Sequence, residues 1–218
     1  MADWGYRIDP EHPLGGEMSD VVRGLSRRLQ SIPLLTRFNA IWILALFSFV
    51  NGCFSIGLMA LAALTTGHPF VFPSLGPTAF LFFYTPTAPT ASPRNTILGH
   101  AIGAAAGWLS LALFHLTDAG PVLTHGVTWP RLLAAGLSLG LTNGLMVLAR
   151  SPHPPAGATT LIVSLGLLPH LGQIGVLMAA IVLLTAQAFV INRLAGLPYP
   201  LWAPLVQNKD LTKPQPFR

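Results

Sequence analysis

Between Phe38 and Asn208 the chain carries only Arg94, Asp118, Arg131, Arg150 and Arg193 as charged residues. One acid and four bases cannot give so long a stretch a water-facing surface. A soluble domain is about a quarter charged, whereas this chain is 9% charged and 52% hydrophobic. The pattern specifies an all-α polytopic membrane protein. The net charge of +5 does not point to nucleic acid, because the bases are few and sit at the ends of apolar runs. Lys and Arg are retained in that way on the cytoplasmic face of a membrane. Cys53 is alone, so no internal disulfide forms. Met1 to Ser31 is mixed polar and lacks an apolar core beside its charges, unlike a signal peptide. Arg27-Arg28 is read as a cytoplasmic anchor, since no cleavage site follows the next apolar run. The expected organisation is a cytoplasmic segment over 1–37, a transmembrane domain over 38–194 and a cytoplasmic tail over 195–218.

A spanning helix needs about 20 apolar residues. Phe38–Thr66, Ile97–Leu116, Leu132–Ala149 and Leu171–Leu194 meet that length. Pro73–Tyr84 and Pro154–Leu168 are apolar but too short, reaching about 18 to 22 Å against a core of about 30 Å. Both begin in Pro- and Gly-rich sequence, and proline suits a first helical turn because its missing N–H has no partner there. The expected architecture is four long transmembrane helices plus two short half-helices, each preceded by irregular backbone. Such backbone survives at membrane depth only when buried in protein or lining a wet cavity.

The chain also repeats. Gly57-Leu-Met-Ala-Leu-Ala62 matches Gly144-Leu-Met-Val-Leu-Ala149, and Pro73-Ser-Leu-Gly-Pro-Thr-Ala79 matches Pro154-Pro-Ala-Gly-Ala-Thr-Thr160. Leu98-Gly-His100 and Leu171-Gly-Gln173 follow in the same order. If each half-helix and its lead-in cross the membrane, Arg94, Arg150, Arg193 and both termini fall on one side. The Asp118–Pro130 connection falls on the other. The positive-inside rule favours that arrangement over re-entrant hairpins. The two copies are then inverted repeats, a plan that places a substrate site at the midplane. The expected location is a bacterial inner membrane with both termini cytoplasmic.

No Asp or Glu lies in any apolar segment. A carboxylate relay is therefore impossible, and a cation site is disfavoured. What remains is positive or neutral: Arg94, Arg150, His68, His100 and His153, with hydroxyls at Ser74, Thr78, Thr159 and Thr160. Helix N-termini add positive dipole ends and free N–H groups. This set suits a small anion held at Ser74, Gly76 and Thr78 on one half-helix and Ala156, Gly157, Thr159 and Thr160 on the other. Arg94 would attract the anion, and His100 and His153 would donate or shuttle a proton. A metal site from His68, His100 and His153 lacks acid or cysteine support and tight spacing, so no metal or cofactor is expected. No nucleophile–base pair or nucleotide motif is present, so no enzyme activity is expected. Gly99-x-x-x-Gly103-x-x-x-Gly107 and Gly136-x-x-x-Gly140-x-x-x-Gly144 are small-residue ladders for close helix packing, inside the chain or in a homo-oligomer.

Ser151-Pro-His-Pro-Pro-Ala-Gly-Ala158 resembles the signature of the HPP family of integral membrane proteins. Pro93-Arg-Asn-Thr-Ile-Leu-Gly-His100 is similar to the family's Pro-Arg-Asn-x-x-x-Gly-His stretch, and Ser74-Leu-Gly-Pro-Thr-Ala79 stands at its Gly- and Ser-rich helix start. The resemblance runs from about Thr36 to Leu194. Ser92 stands where Gln is expected, and Pro77 where a small residue is. The resemblance implies four transmembrane helices and, through plant and cyanobacterial relatives, transport of nitrite. The partners expected are thus a small anion and the lipid bilayer. The competing readings are a conduit for a small neutral solute, such as nitrous acid or ammonia, and a non-transporting scaffold or sensor.

Overall fold

The computed structural model describes residues 40–204. The expected cytoplasmic segment 1–37 and the tail beyond 204 lie outside the described residues. Within them the chain forms seven α-helices. They are α1 Ala40–Thr66, α2 Leu75–Tyr84, α3 Pro93–Leu113, α4 Val122–His125, α5 Trp129–Leu148, α6 Ala156–Ser164 and α7 Leu171–Leu194. A 3-10 turn, Pro89–Ala91, precedes α3. α1, α3, α5 and α7 are long and apolar enough to span a membrane. α2 and α6 are the two short helices expected after the proline-rich lead-ins.

The boundaries follow local chemistry. α3 starts four residues earlier than its apolar run, because Pro93 fills the first turn and Ser92 Oγ accepts a hydrogen bond from the Asn95 N–H. α6 stops at Ser164 instead of running to Leu168. Gly166 takes φ +79°, and the Gly166 and Leu167 N–H groups close back on Val163 and Ile162. This left-handed cap satisfies the last carbonyls. α5 ends in the same way, but with Arg150 at φ 50°, a conformation strained for a residue with a Cβ.

Cross-chain bonds sort the helix termini into two ends. At one end Ser48 on α1 donates to the Phe83 carbonyl of α2, and Asn192 on α7 donates to the Phe82 carbonyl. Leu44 packs against Leu197 there. The start of α3 joins this end, since the Arg94 N–H donates to the Trp202 carbonyl. So does the end of α5, whose Ala149 and Arg150 carbonyls accept from the Arg94 guanidinium. At the opposite end the Arg131 guanidinium, at the start of α5, donates to the Gly120 carbonyl and to Ser164 at the end of α6. The Val122 N–H donates to Leu165 there as well.

α3 is the central helix, packed on α5, α6 and α7. α2 packs on α1 and α7, as α6 packs on α5 and α3, and α1 meets α7 as α5 meets α3. Exchanging α1-α2-α3 with α5-α6-α7 therefore maps this contact pattern onto itself. The two glycine ladders have different fates. A Cβ on Gly99, Gly103 or Gly107 would press into His153, Ala156, Thr160 or Val163, so α3 and α6 meet along that ladder. A Cβ on Gly136, Gly140 or Gly144 would meet nothing within 4 Å among the described residues. The outer surfaces remain apolar, with Trp42, Phe49 and Leu64 of α1 and Leu133 and Leu145 of α5 exposed. A bilayer solvates such surfaces, so close packing rather than water exclusion decides which helices meet.

Beyond α7 the chain folds back. Gly196 turns it at φ +85°, and Tyr199, fully buried, donates its hydroxyl to the Ala91 carbonyl at 2.6 Å. Burial pushes the Tyr199 phenol above its ordinary range, keeping it a donor.

Candidate functional site

His100 lies two turns into α3, on the face that meets α6. His153 is carried by the irregular lead-in between α5 and α6. Both are fully buried. Their Nε2 atoms are 3.1 Å apart, and the rings are nearly edge-to-face with centroids at 4.7 Å. Thr78, in the first turn of α2, places its Oγ1 3.0 Å from His100 Nε2 and 3.3 Å from His153 Nε2. Thr159, in the first turn of α6, places its Oγ1 2.7 Å from His100 Nδ1. The first turns of both half-helices thus meet at one histidine pair.

The proton positions follow from the partners. The Thr90 carbonyl, 2.7 Å from His153 Nδ1, can only accept, so His153 carries its hydrogen on Nδ1. Its Nε2 is then a bare acceptor. Two bare nitrogens repel at 3.1 Å, so the hydrogen between the rings belongs to His100 Nε2. Thr78 Oγ1 shares it, because its own hydrogen goes to the Ser74 carbonyl at 2.8 Å. In the uncharged pair His100 Nδ1 is then an acceptor, and Thr159 donates to it. In that state the cluster is fully bonded.

The other expected site residues divide. Ser74 is fully buried at the start of α2, caps nothing, and its Oγ has no hydrogen-bond partner among the described residues. A buried hydroxyl left without a partner costs about 1–3 kcal/mol, so Ser74 is a donor in waiting. Thr160 is buried and bonds the Ala156 carbonyl and Thr142 Oγ1 instead of the histidines. The Ala156, Gly157, Ala158 and Thr159 N–H groups already close on the carbonyls of His153, Pro154 and Pro155. α6 therefore offers side-chain hydroxyls, not free backbone donors. Gly76 is exposed, with open space where a Cβ would stand. Arg94 stands outside the cluster, its guanidinium on the Ala149 and Arg150 carbonyls and on Asn95 Oδ1. His68 is exposed just past α1.

Thr90, Thr96, Thr142 and Ser151 are not among the expected site residues. Thr96 precedes His100 by one helical turn and is fully buried, with Oγ1 3.4 Å from His153 Nδ1. Its spacing was a usable signal. Ser138 and Thr142 form a similar polar pair on apolar α5, and Ser138 accepts from Thr142. Ser151 is buried, two residues before His153, and its Oγ has no partner among the described residues. The Thr90 carbonyl is a backbone group and left no trace in residue identity.

A transmembrane protein of Dictyostelium discoideum is 29% identical over 134 residues, covering 59% of this chain and 44% of that protein. A second transmembrane protein of the same organism is 33% identical over 93 residues, 43% of this chain and 27% of its own length. The chain thus spans less than half the length of these curated relatives. No solved structure matches. Residues 38–200 match the family described as HPP, transmembrane region, an interval that holds the His153-Pro-Pro lead-in, the His100 helix and both half-helices. The signature residues and the four spanning helices agree with that match over most of the chain, which belongs to the HPP transmembrane family.

Proposed function

We propose that this multi-pass membrane protein transports a small inorganic anion, nitrite or one of similar size and charge, through the cluster between α2 and α6. The observation that carries the reading is the convergence of both half-helix starts on a fully buried, carboxylate-free group of hydroxyls and imidazoles. The two positive dipole ends favour negative charge there. Thr78, Thr159, His100 and His153 face the position, and Ser74 is the unpartnered donor. Arg94 gives positive charge to the end where α3 starts. That end also holds Arg150 and Arg193, which by the positive-inside rule makes it cytoplasmic in a bacterial inner membrane. The exchange-symmetric contacts support two inverted repeats, with alternating access about the midplane. The reading is of a carrier, not an enzyme.

The neutral-solute reading draws on one observation, that every hydrogen bond of the cluster can be made without net charge. Nitrite uptake into vesicles reconstituted with the protein separates the two. At fixed pH and total nitrite, an anion carrier is competed by nitrate, which stays ionised, whereas a nitrous acid conduit is indifferent to it. Uptake no faster than in protein-free vesicles, with folded protein present, rejects both.

A further inference from the structure

In the uncharged pair only His100 Nδ1 can gain a proton and keep every hydrogen bond. The added proton reverses one bond: Nδ1–H donates to Thr159 Oγ1 at 2.7 Å, and the Thr159 hydrogen rotates away. A proton on His153 Nε2 would instead set two N–H groups against each other at 3.1 Å. His153 Nδ1 is already protonated, bound to the Thr90 carbonyl. The pair's capacity is one extra proton.

That proton has no counter-charge among the described residues around the pair. Around the pair, α6 and the lead-in from Ser151 carry no other titratable or charged group. α2 has Tyr84 at its far end. Arg94 of α3 and Arg131 of α5 are bonded to carbonyls at opposite ends of the molecule, and α7 has Arg193 in its last turn. A lone imidazolium in this setting is costly, and so is a lone anion. Together they are neutral, with the unpartnered Ser74 hydroxyl free to bond the anion.

We propose that the His100–His153 pair takes up a single proton at His100 Nδ1 and that each monovalent anion crosses with it, making transport electroneutral. This rests on the anion-transport reading above. The proton is taken from water on the loading side and returned to water on release, and no covalent bond to the anion forms or breaks.

Two measurements test it. Vesicles holding a trapped pH dye are given potassium nitrite, with valinomycin setting the voltage and protein-free vesicles subtracted. The expected result is internal acidification of about one proton per nitrite, at a rate indifferent to voltage. In Thr159→Val the charged Nδ1–H loses its acceptor, so the remaining flux becomes voltage-driven and the proton ratio falls toward zero. Voltage-driven nitrite flux without acidification in the wild type overturns the coupling while leaving anion transport standing. The second measurement is nitrogen NMR of protein labelled at histidine, which counts protons whether or not nitrite moves. It should show the Nδ1–H form for His153, the Nε2–H form for His100 and one protonation step confined to His100 Nδ1. Two steps, or the same tautomer in both rings, overturn the single-proton capacity.

Discussion

Gly103→Ala probes the contact that sets His100 against Thr159. A Cβ at 103 would stand 2.6 Å from the Ala156 carbonyl oxygen and 2.8 Å from Thr160 Oγ1. Ordinary contact begins near 3.4 Å, so α6 must retreat by about 0.8 Å. Backbone carbonyl is what blocks the way, and it cannot swing aside like the tip of a side chain. Taken along the His100–Thr159 bond, the same retreat lengthens 2.7 Å to about 3.5 Å, the outer edge of a hydrogen bond. Overpacking of this kind costs about 1–3 kcal/mol. At about 2–4 °C per kcal/mol for a chain of this size, the unfolding midpoint should fall by about 2–12 °C. Gly140→Ala is the matched control, because no described residue lies within 4 Å of its added Cβ. It gains helix propensity of up to about 1 kcal/mol and should leave the midpoint level or slightly raised. Thermal unfolding of both variants in detergent, followed by tryptophan fluorescence, decides it. Equal midpoints, or a larger loss at Gly140, would refute the account of how α3 and α6 dock.

Other perturbations have expected outcomes of their own. Arg131→Ala strips the Gly120 and Ser164 carbonyls of a donor and should cost about 1–3 kcal/mol. Nitrite flux per folded molecule should not change, and a specific loss of flux there would move the site toward α5. Arg150→Gly relieves the left-handed residue that ends α5 and should stabilise the protein by about 1 kcal/mol in the same unfolding assay. Tyr199 has a raised phenol pKa in the fold, so its contribution is complete below the unfolded value of about 10 and is lost as pH rises past it. Tyr199→Phe should therefore lower stability at neutral pH but flatten the alkaline decline, as a pH series of unfolding midpoints will show.

Much of the fold was legible because the membrane demands it. The four long helices follow from apolar length, and the two short ones from proline-rich starts that cannot continue a preceding helix. α3 begins and α6 ends where caps act, at Ser92 and Gly166, and cap geometry outweighs apolar extent at those points. The glycine ladders were equally visible, but which of them is packed depends on the partner helix; among the described residues only the ladder of Gly99, Gly103 and Gly107 faces one. At the site, His100, His153, Thr78 and Thr159 stood out as polar residues in apolar surroundings. Their mutual bonding was not legible, since it joins residues as far apart as Thr78 and His153. Arg94 stood out by its charge and its motif, yet its partners are carbonyls at the end of α5, and residue identity does not record which carbonyls are left free. The expectation of free backbone donors at Ala156 and Gly157 missed the tight turns through His153-Pro-Pro that occupy them.

The position of a bound anion tests the central claim most directly. Crystals soaked in bromide, a monovalent stand-in visible by anomalous scattering, should show density within hydrogen-bond reach of Ser74 Oγ and the His100–His153 pair, and His100→Gln crystals should lose it. Bromide confined to surface arginines, with the cluster empty in a protein that moves nitrite, would contradict the assignment of the transport site to this histidine pair.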